Sequence, residues 1–508
     1  MLILSKIEGV HNAAQPSRLV LFYTLYLAIA TAAIYAGFSG WAYDDPFITY
    51  RYAHNLANGV GFVYNPGEQV LSTTTPFFTL LLALLSPFWA DLPRLANLIG
   101  ALSLSLGGIL LWDLAHSWEE PVVGWVSLLL YPTFSLLVTT LGSETPLYLA
   151  LCLAAFAFYA RRRYNWTAVF SALAVLTRPD GVLVPAILVC DYLLRAGLPR
   201  LPGWNESYSF HRNASQKWPV QAVLLFLGLL LPWALFAWVY FGSPLPATLA
   251  AKQSQGAMLM SQRFASGFWS MAQGYAARWY FWIAAALALA GILYGAWRAR
   301  RWALFLSWNV LYFTAYTILG VSRYYWYYAP LVPGFIILIG LGAAAVSRLQ
   351  RFDLQNNRST RPASILAALL VLAFIAGQAD DLLSLQNHMD RRPVIYRAVG
   401  EWLAANTPPG ATVAALEVGI IGYYAQRPMV DFAGLIQPDI AVRLTPHTTY
   451  ADAADWAVSH YRPDYLVLQE ETFINLEQGY AVQHCRLAQR FPGEHFGYPA
   501  NLIIYACS

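Results

Sequence analysis

Uncharged apolar runs of about the length of a bilayer crossing recur from Leu19 to Ala379, and the charges sit in the short turns between them. Eleven runs read as spans: 19–38, 94–115, 122–140, 144–160, 166–178, 181–194, 219–241, 279–297, 302–320, 324–346 and 363–378. A twelfth run, 76–90 (PFFTLLLALLSPFWA), is bracketed by prolines and too short to cross. From residue 393 the pattern changes to short apolar strands alternating with amphipathic helices. The spacing predicts helices over 394–405 and 451–460 and strands over 412–416, 428–431, 464–468 and 500–506. The reading is an all-α polytopic membrane domain, 1–380, followed by a small α/β domain, 393–508.

Composition agrees. Of 508 residues only 11% are charged while 58% are apolar, which excludes an ordinary soluble enzyme. The net charge of +4 comes from short basic clusters and not from one stripe, so nucleic acid is not an expected partner. Those clusters orient the chain. If the N-terminus is cytoplasmic and 76–90 stays in the interface, Arg161 to Arg163 and the arginines of 195–218, 298–301 and 347–362 all fall inside. Outside then lie loop 39–93, the 142–143 turn, segment 242–278 and everything beyond residue 380, and the first span is an uncleaved one in the cell membrane. Asn165, Asn205, Asn213 and Asn357, each in an Asn-x-Ser/Thr match, fall inside, where they have no meaning as glycan acceptors. Cys152 and Cys190 read as packing residues, whereas Cys485 and Cys507 lie in the outer domain and could pair.

The outer face gathers the candidate chemistry. Loop 39–93 is long for a bundle and opens with Trp41-Ala-Tyr-Asp44-Asp45-Pro46. Adjacent carboxylates at a membrane surface persist when they bind a cation or when one acts as a base. Asp45 before a proline also reads as the N-cap of a helix over 47–57, while Asp44 has no such structural reading. The segment 59–68 alternates like a short ribbon around Asn65-Pro66-Gly67, Thr73 to Thr75 read as a cap for the interfacial helix, and His54 reads as structural. Glu144 adds a third acid at a span end, so Asp44, Asp45 and Glu144 could hold a divalent cation. Arg178 and Asp180 in Thr177-Arg-Pro-Asp-Gly181 either pair with each other or serve a ligand. Among only three lysines, Lys252 is the sole outer one and could meet a lipid phosphate as a point charge, as could Arg323 at the head of Tyr324, Tyr325, Trp326, Tyr327 and Tyr328.

Taken together, AYDDPFITYRYAHNLANGVGFVYNPGE, GSETPLY, LTRPDG, RYYWYYAPL and GYYAQRPMVDFAGL resemble the GT-C glycosyltransferases, membrane enzymes that use polyprenyl-phosphate sugars. Within them the chain looks most like the mycobacterial-type terminal arabinofuranosyltransferases, with Gly-Ser-Glu-Thr here where that group has Gly-Leu-Glu-Thr. The resemblance implies Asp44, and with it Asp45, as the base that activates an acceptor hydroxyl. The residues themselves offer Lys252, Arg323 and Arg178 to the donor phosphate, and Glu144, Asp180, Arg51, Tyr325, Trp326, Tyr327, Glu417 and Tyr423 to substrate. The resemblance also implies inverting transfer to an extracytoplasmic glycan, lipid or protein, with a C-terminal domain that helps bind acceptor. A mannosyl- or aminosugar transferase of the same fold, and a polyprenyl-lipid or polysaccharide transporter, are the alternatives. A transporter predicts half-repeats and mid-membrane charges, which the pattern lacks.

Overall fold

The protein, seen in a computed structural model, is described over residues 16–197, 219–258, 261–348 and 361–508. Lys6, Lys217, Asn205, Asn213, Asn357 and most of the basic segments 195–218 and 347–362 lie outside the described residues. Every apolar run forms helix: Pro16–Phe38, Leu92–Ser117, Pro121–Leu130 with Ser135–Val138, Thr145–Ala160, Tyr164–Thr177, Leu183–Gly197, Val220–Phe241, Trp279–Trp297, Ala303–Leu319, Val332–Arg348 and Arg361–Asn387. Seven helices among the described residues are long and apolar enough to cross a membrane. Run 122–140 is not one continuous helix as expected; it stops at Leu130, because Pro132 offers no amide donor and its ring blocks the next turn. The Pro76–Leu85 helix rises only about 15 Å and so stays on one face. Leu84 and Phe88 stand exposed there as apolar groups for a lipid interface.

Two spans touch through their backbones. A Cβ on Gly291 would lie 2.0 Å from the Leu338 carbonyl oxygen, and one on Gly342 would lie 1.9 Å from that of Leu287, so the Trp279–Trp297 and Val332–Arg348 helices can cross only through glycine. Without a hydrophobic force between helices in lipid, such close backbone packing is what holds a bundle.

Charge separates along the bundle. At one end Arg161 pairs with Asp113, Arg348 with Glu120 (3.1 Å) and Arg301 with Glu119, while Tyr294 also donates to Glu120. At the other end lie the first loop, the Gly142 turn, Arg178 and Lys252, joined by hydrogen bonds such as Tyr50 Oη to the Gly142 carbonyl. Arg161, Arg301 and Arg348 therefore stand at one end and the candidate residues at the other.

The C-terminal region pairs five strands in the order β2-β1-β3-β5-β4. These are β1 (Val413–Ala415), β2 (Met429–Asp431), β3 (Tyr465–Gln469), β4 (Cys485–Phe491) and β5 (Leu502–Cys507). β2, β1 and β3 run parallel and β5 and β4 antiparallel; the Arg392–Asn406 helix precedes β1, and the Val418–Ala425 and Tyr450–Tyr461 helices connect β1 to β2 and β2 to β3. Cys485 and Cys507, opposite each other on β4 and β5, form a disulfide.

The loop 58–75 contains no strand, contrary to the expected ribbon. Side chains satisfy it instead: Asn55 donates to the carbonyls of Val63 and Tyr64, and Asn65 exchanges two 2.9 Å bonds with the backbone of Met429. Thr75 does precede the interfacial helix, but its hydroxyl bonds Thr49 and Thr73 and not the helix amides.

Replacing Gly342 by Val should cost at least the roughly 1–3 kcal/mol of an overpacked core. The expected result is loss of the monodisperse peak in detergent size-exclusion chromatography, whereas Gly228→Val, where a Cβ meets nothing within 4 Å, should retain it.

Candidate active site

The Asp45–Ala57 helix starts where Pro46 fixes the first helical dihedral, and it presents Asp44 and Asp45 at its N-terminus. Neither carboxylate caps that helix. Asp45, expected as the cap, instead takes the Lys252 ammonium at 3.0 Å. Lys252 sits on the Thr248–Ala257 helix with its side chain only 8% exposed, 3.7 Å over the Tyr324 ring and 5.8 Å from that of Trp326. Burial is the largest influence and would lower this ammonium, but Asp45 together with Tyr327 and Tyr450 holds its pKa above the ordinary lysine value.

Asp44 turns the other way. Its two oxygens accept from the amides of Gly419 (2.9 Å) and Ile420 (2.7 Å), the first-turn donors of the Val418–Ala425 helix. The approach is tight, since a Cβ on Gly419 would fall 2.0 Å from the Asp44 carbonyl oxygen. Glu417, at the cap position of the same helix, makes no side-chain cap bond and faces Asp44 across the gap. Burial raises the Asp44 carboxyl to about 6, against the pull of the two amides, and raises Glu417 to about 8 with the neighbouring Asp44 charge adding to it. The two acids thus compete for charge, and Arg392 opposes both shifts.

Aromatic rings close the other side. Tyr43 stacks on Trp326 at 5.2 Å and meets Tyr325 at 5.6 Å; Tyr325 donates to the Thr139 carbonyl, and Trp326 stacks on Tyr324 at 4.5 Å. Tyr327 lies against Tyr316 and its carbonyl accepts from Tyr312.

Arg178 forms a separate, closed knot. It forks onto Asp180 (3.1 and 2.9 Å), reaches Glu144 at 3.3 Å, and donates to Tyr316, whose hydroxyl in turn donates to Asp180. Ser143, and not Glu144, accepts from the first-turn amide of the following helix. Asp44, Asp45 and Glu144 therefore face amides, an ammonium and a guanidinium respectively. Among the described residues no three His, Cys, Asp or Glu side chains stand close enough to hold a metal ion. Arg51, 2% exposed, donates to the carbonyls of Tyr64, Gly422 and Arg427, which makes it a joint between the first loop and the C-terminal region. Tyr423 packs on Phe47, Tyr50 and the half-buried His54. Arg323 lies apart, exposed, with its guanidinium on Gln262.

The sequence signals missed the Val418–Ala425 helix. Its two glycines and short apolar run carry no helical period, yet both glycines are required by contact, Gly422 against the Tyr64 hydroxyl as Gly419 is against Asp44.

A family model described as "Domain of unknown function (DUF8728)" matches residues 385–504. No curated protein matches the chain. Among solved structures, ArnT from Cupriavidus metallidurans bound to undecaprenyl phosphate is similar with a TM-score of 0.62 at 14% identity, over 96% of this chain and 98% of that one. Its apo state gives 0.61 at 14% identity, over the same shares. The Archaeoglobus fulgidus oligosaccharyltransferase tethered with an acceptor peptide gives 0.54 at 14% identity, over 96% of this chain and 74% of that one. The chain has the GT-C fold.

Removing Arg178 leaves Glu144 and Asp180 as uncompensated buried charges, a loss of roughly 3–5 kcal/mol. Arg178→Ala should lower the thermal midpoint by many degrees in a detergent-based unfolding scan, and Arg178→Lys should recover only part, because an ammonium cannot fork onto Asp180.

Proposed function

We propose that the chain is an inverting membrane glycosyltransferase that moves a sugar from a polyprenyl-phosphate donor to an extracytoplasmic acceptor. Arabinofuranose is the sugar that the loop motif favours. The observation that carries the reading is the meeting, at one end of a GT-C fold, of Asp44 with Asp45, Lys252 and Glu417 beneath stacked aromatic rings. The ArnT structure contains undecaprenyl phosphate, which supports a polyprenyl-phosphate lipid as the ligand class for this fold. The basic end of the bundle would face the cytoplasm, which puts the site and the C-terminal domain outside.

The chemistry follows from the positions. The acceptor hydroxyl oxygen attacks the anomeric carbon and forms the new glycosidic bond. The bond from that carbon to the phosphate oxygen breaks, and the polyprenyl phosphate leaves with the electron pair. Asp44 takes the hydroxyl proton, since each of its oxygens keeps a lone pair beyond the one given to an amide. Lys252 meets the charge that grows on the leaving phosphate. Asp45 orients that ammonium and keeps it charged, and no second carboxylate is needed as a covalent nucleophile. Tyr325, Trp326 and Tyr327 offer faces for a sugar ring, with Glu417 and Tyr423 on the acceptor side.

Transfer of radiolabelled sugar from a panel of polyprenyl-phosphate donors tests the assignment. Asp44→Asn should lose about a hundredfold or more in turnover, the usual scale for a general base. Near-full turnover by that variant with every donor would end the reading. Because Asp44 must be ionised to accept a proton, turnover should fall as pH drops through about 6. A limb near the ordinary aspartate value would show that another group is titrating.

A further inference from the structure

An open α/β sheet commonly binds an anion at the carboxyl end of a strand, where a following helix presents free first-turn amides. In this C-terminal region that position lies between β1 and the Val418–Ala425 helix, and it is already filled. The anion is Asp44, contributed by a loop more than 370 residues earlier and held by the amides of Gly419 and Ile420. Glu417, which stands at the cap position, leaves the cap to it. The contact is built on both sides. Gly419 is the residue that lets the Asp44 backbone approach, Tyr64 of the same loop donates to the Val418 carbonyl at 2.6 Å, and Arg51 donates to the Gly422 carbonyl at 3.1 Å.

We propose that the C-terminal domain completes the active site, with the Gly419 and Ile420 amides acting as positioning groups that fix and orient the Asp44 carboxylate. This rests on the reading of Asp44 as the base. Two amide donors fix the plane of the carboxylate and leave the outward lone pairs for the acceptor proton. They also favour its ionised form. The other groups that face Asp44 are Asp45 on its own helix, Glu417 and Asp431 on the C-terminal side, Arg392, and the phenols of Tyr64 and Tyr396. The carboxylates oppose its charge and Arg392 supports it, so the amides are the support that a backbone change alone can remove. A domain that merely bound acceptor would be dispensable for the chemical step. One that holds the base is not.

The test uses the full chain in detergent or nanodiscs. Gly419→Ala drives a methyl into the Asp44 backbone and pushes the helix end away. Ile420→Pro deletes one donor at a first-turn position that needs no intrahelical bond, and Ile420→Val keeps the N–H as the conservative rescue. Dicyclohexylcarbodiimide, which couples to protonated carboxyls, reports the ionisation of Asp44 without any substrate when labelling is followed by mass spectrometry from about pH 4 to about pH 9. In Gly419→Ala and Ile420→Pro the labelling midpoint should move up by about one pH unit or more, and Ile420→Val should restore it. In the sugar-transfer assay kcat should fall about tenfold or more while the donor KM stays within about threefold.

An unmoved midpoint in folded Gly419→Ala and Ile420→Pro overturns the proposal, and so does loss of folded protein in both, which would make the contact purely structural. Failure of the base reading looks different: Asp44→Asn keeps its turnover whatever the labelling shows.

Discussion

The joint between the first loop and the C-terminal region turns on a single close approach, that of the Asp44 carboxylate to the start of the Val418–Ala425 helix. Glycine at 419 is the condition for it, because any side chain would meet the Asp44 backbone. Around this contact the loop is bound by a set of side-chain to backbone bonds, Tyr64 to Val418, Arg51 to Gly422 and Arg427, and Asn65 to Met429. None uses two ordinary secondary-structure edges. A loop without strands is thus held as firmly as a sheet, by polar side chains that satisfy buried backbone groups.

A second consequence is the division of labour among the acids. Four carboxylates at this end of the bundle share three kinds of partner: amides for Asp44, an ammonium for Asp45, and one guanidinium common to Glu144 and Asp180. Glu417, beside them, is the acid of this group that accepts no hydrogen bond among the described residues, and burial with the neighbouring Asp44 charge pushes its carboxyl up to about 8. Lys252 is held between Asp45 and aromatic faces, and these surroundings keep it charged against the cost of its burial. The knot at Arg178 is saturated, so the open electrostatics of the site belong to Asp44, Glu417 and Lys252.

Much of this was legible in the chain. Long uncharged runs located the membrane helices, since lipid demands them, whereas the Thr248–Ala257 and Phe264–Ala276 helices lie in a segment read as a loop and the break after Leu130 was not anticipated. The C-terminal strands at 413–415, 429–431, 465–469 and 502–507 follow from short β-rich runs. Other features left no periodic trace. Strand β4, Cys485-Arg-Leu-Ala-Gln-Arg-Phe491, is an exposed edge with mixed polarity, and the Val418–Ala425 helix is too short and too glycine-rich to show a period. Asp44 could be picked out because it had no local structural task. Its amide partners could not, because they are backbone groups and any residue type carries them; only the glycine at 419 marks the place.

Asn65 has a further bearing on the sheet. β2 is an edge strand, and the side-chain amide of Asn65 occupies both the Met429 N–H and carbonyl that a neighbouring strand would use. The membrane portion thereby shields the C-terminal sheet from strand addition by other chains. Gln437, on the C-terminal side, donates to the same Met429 carbonyl and accepts from the Asp431 amide, so this edge is closed from both directions and the Met429 N–H is the group that depends on the first loop.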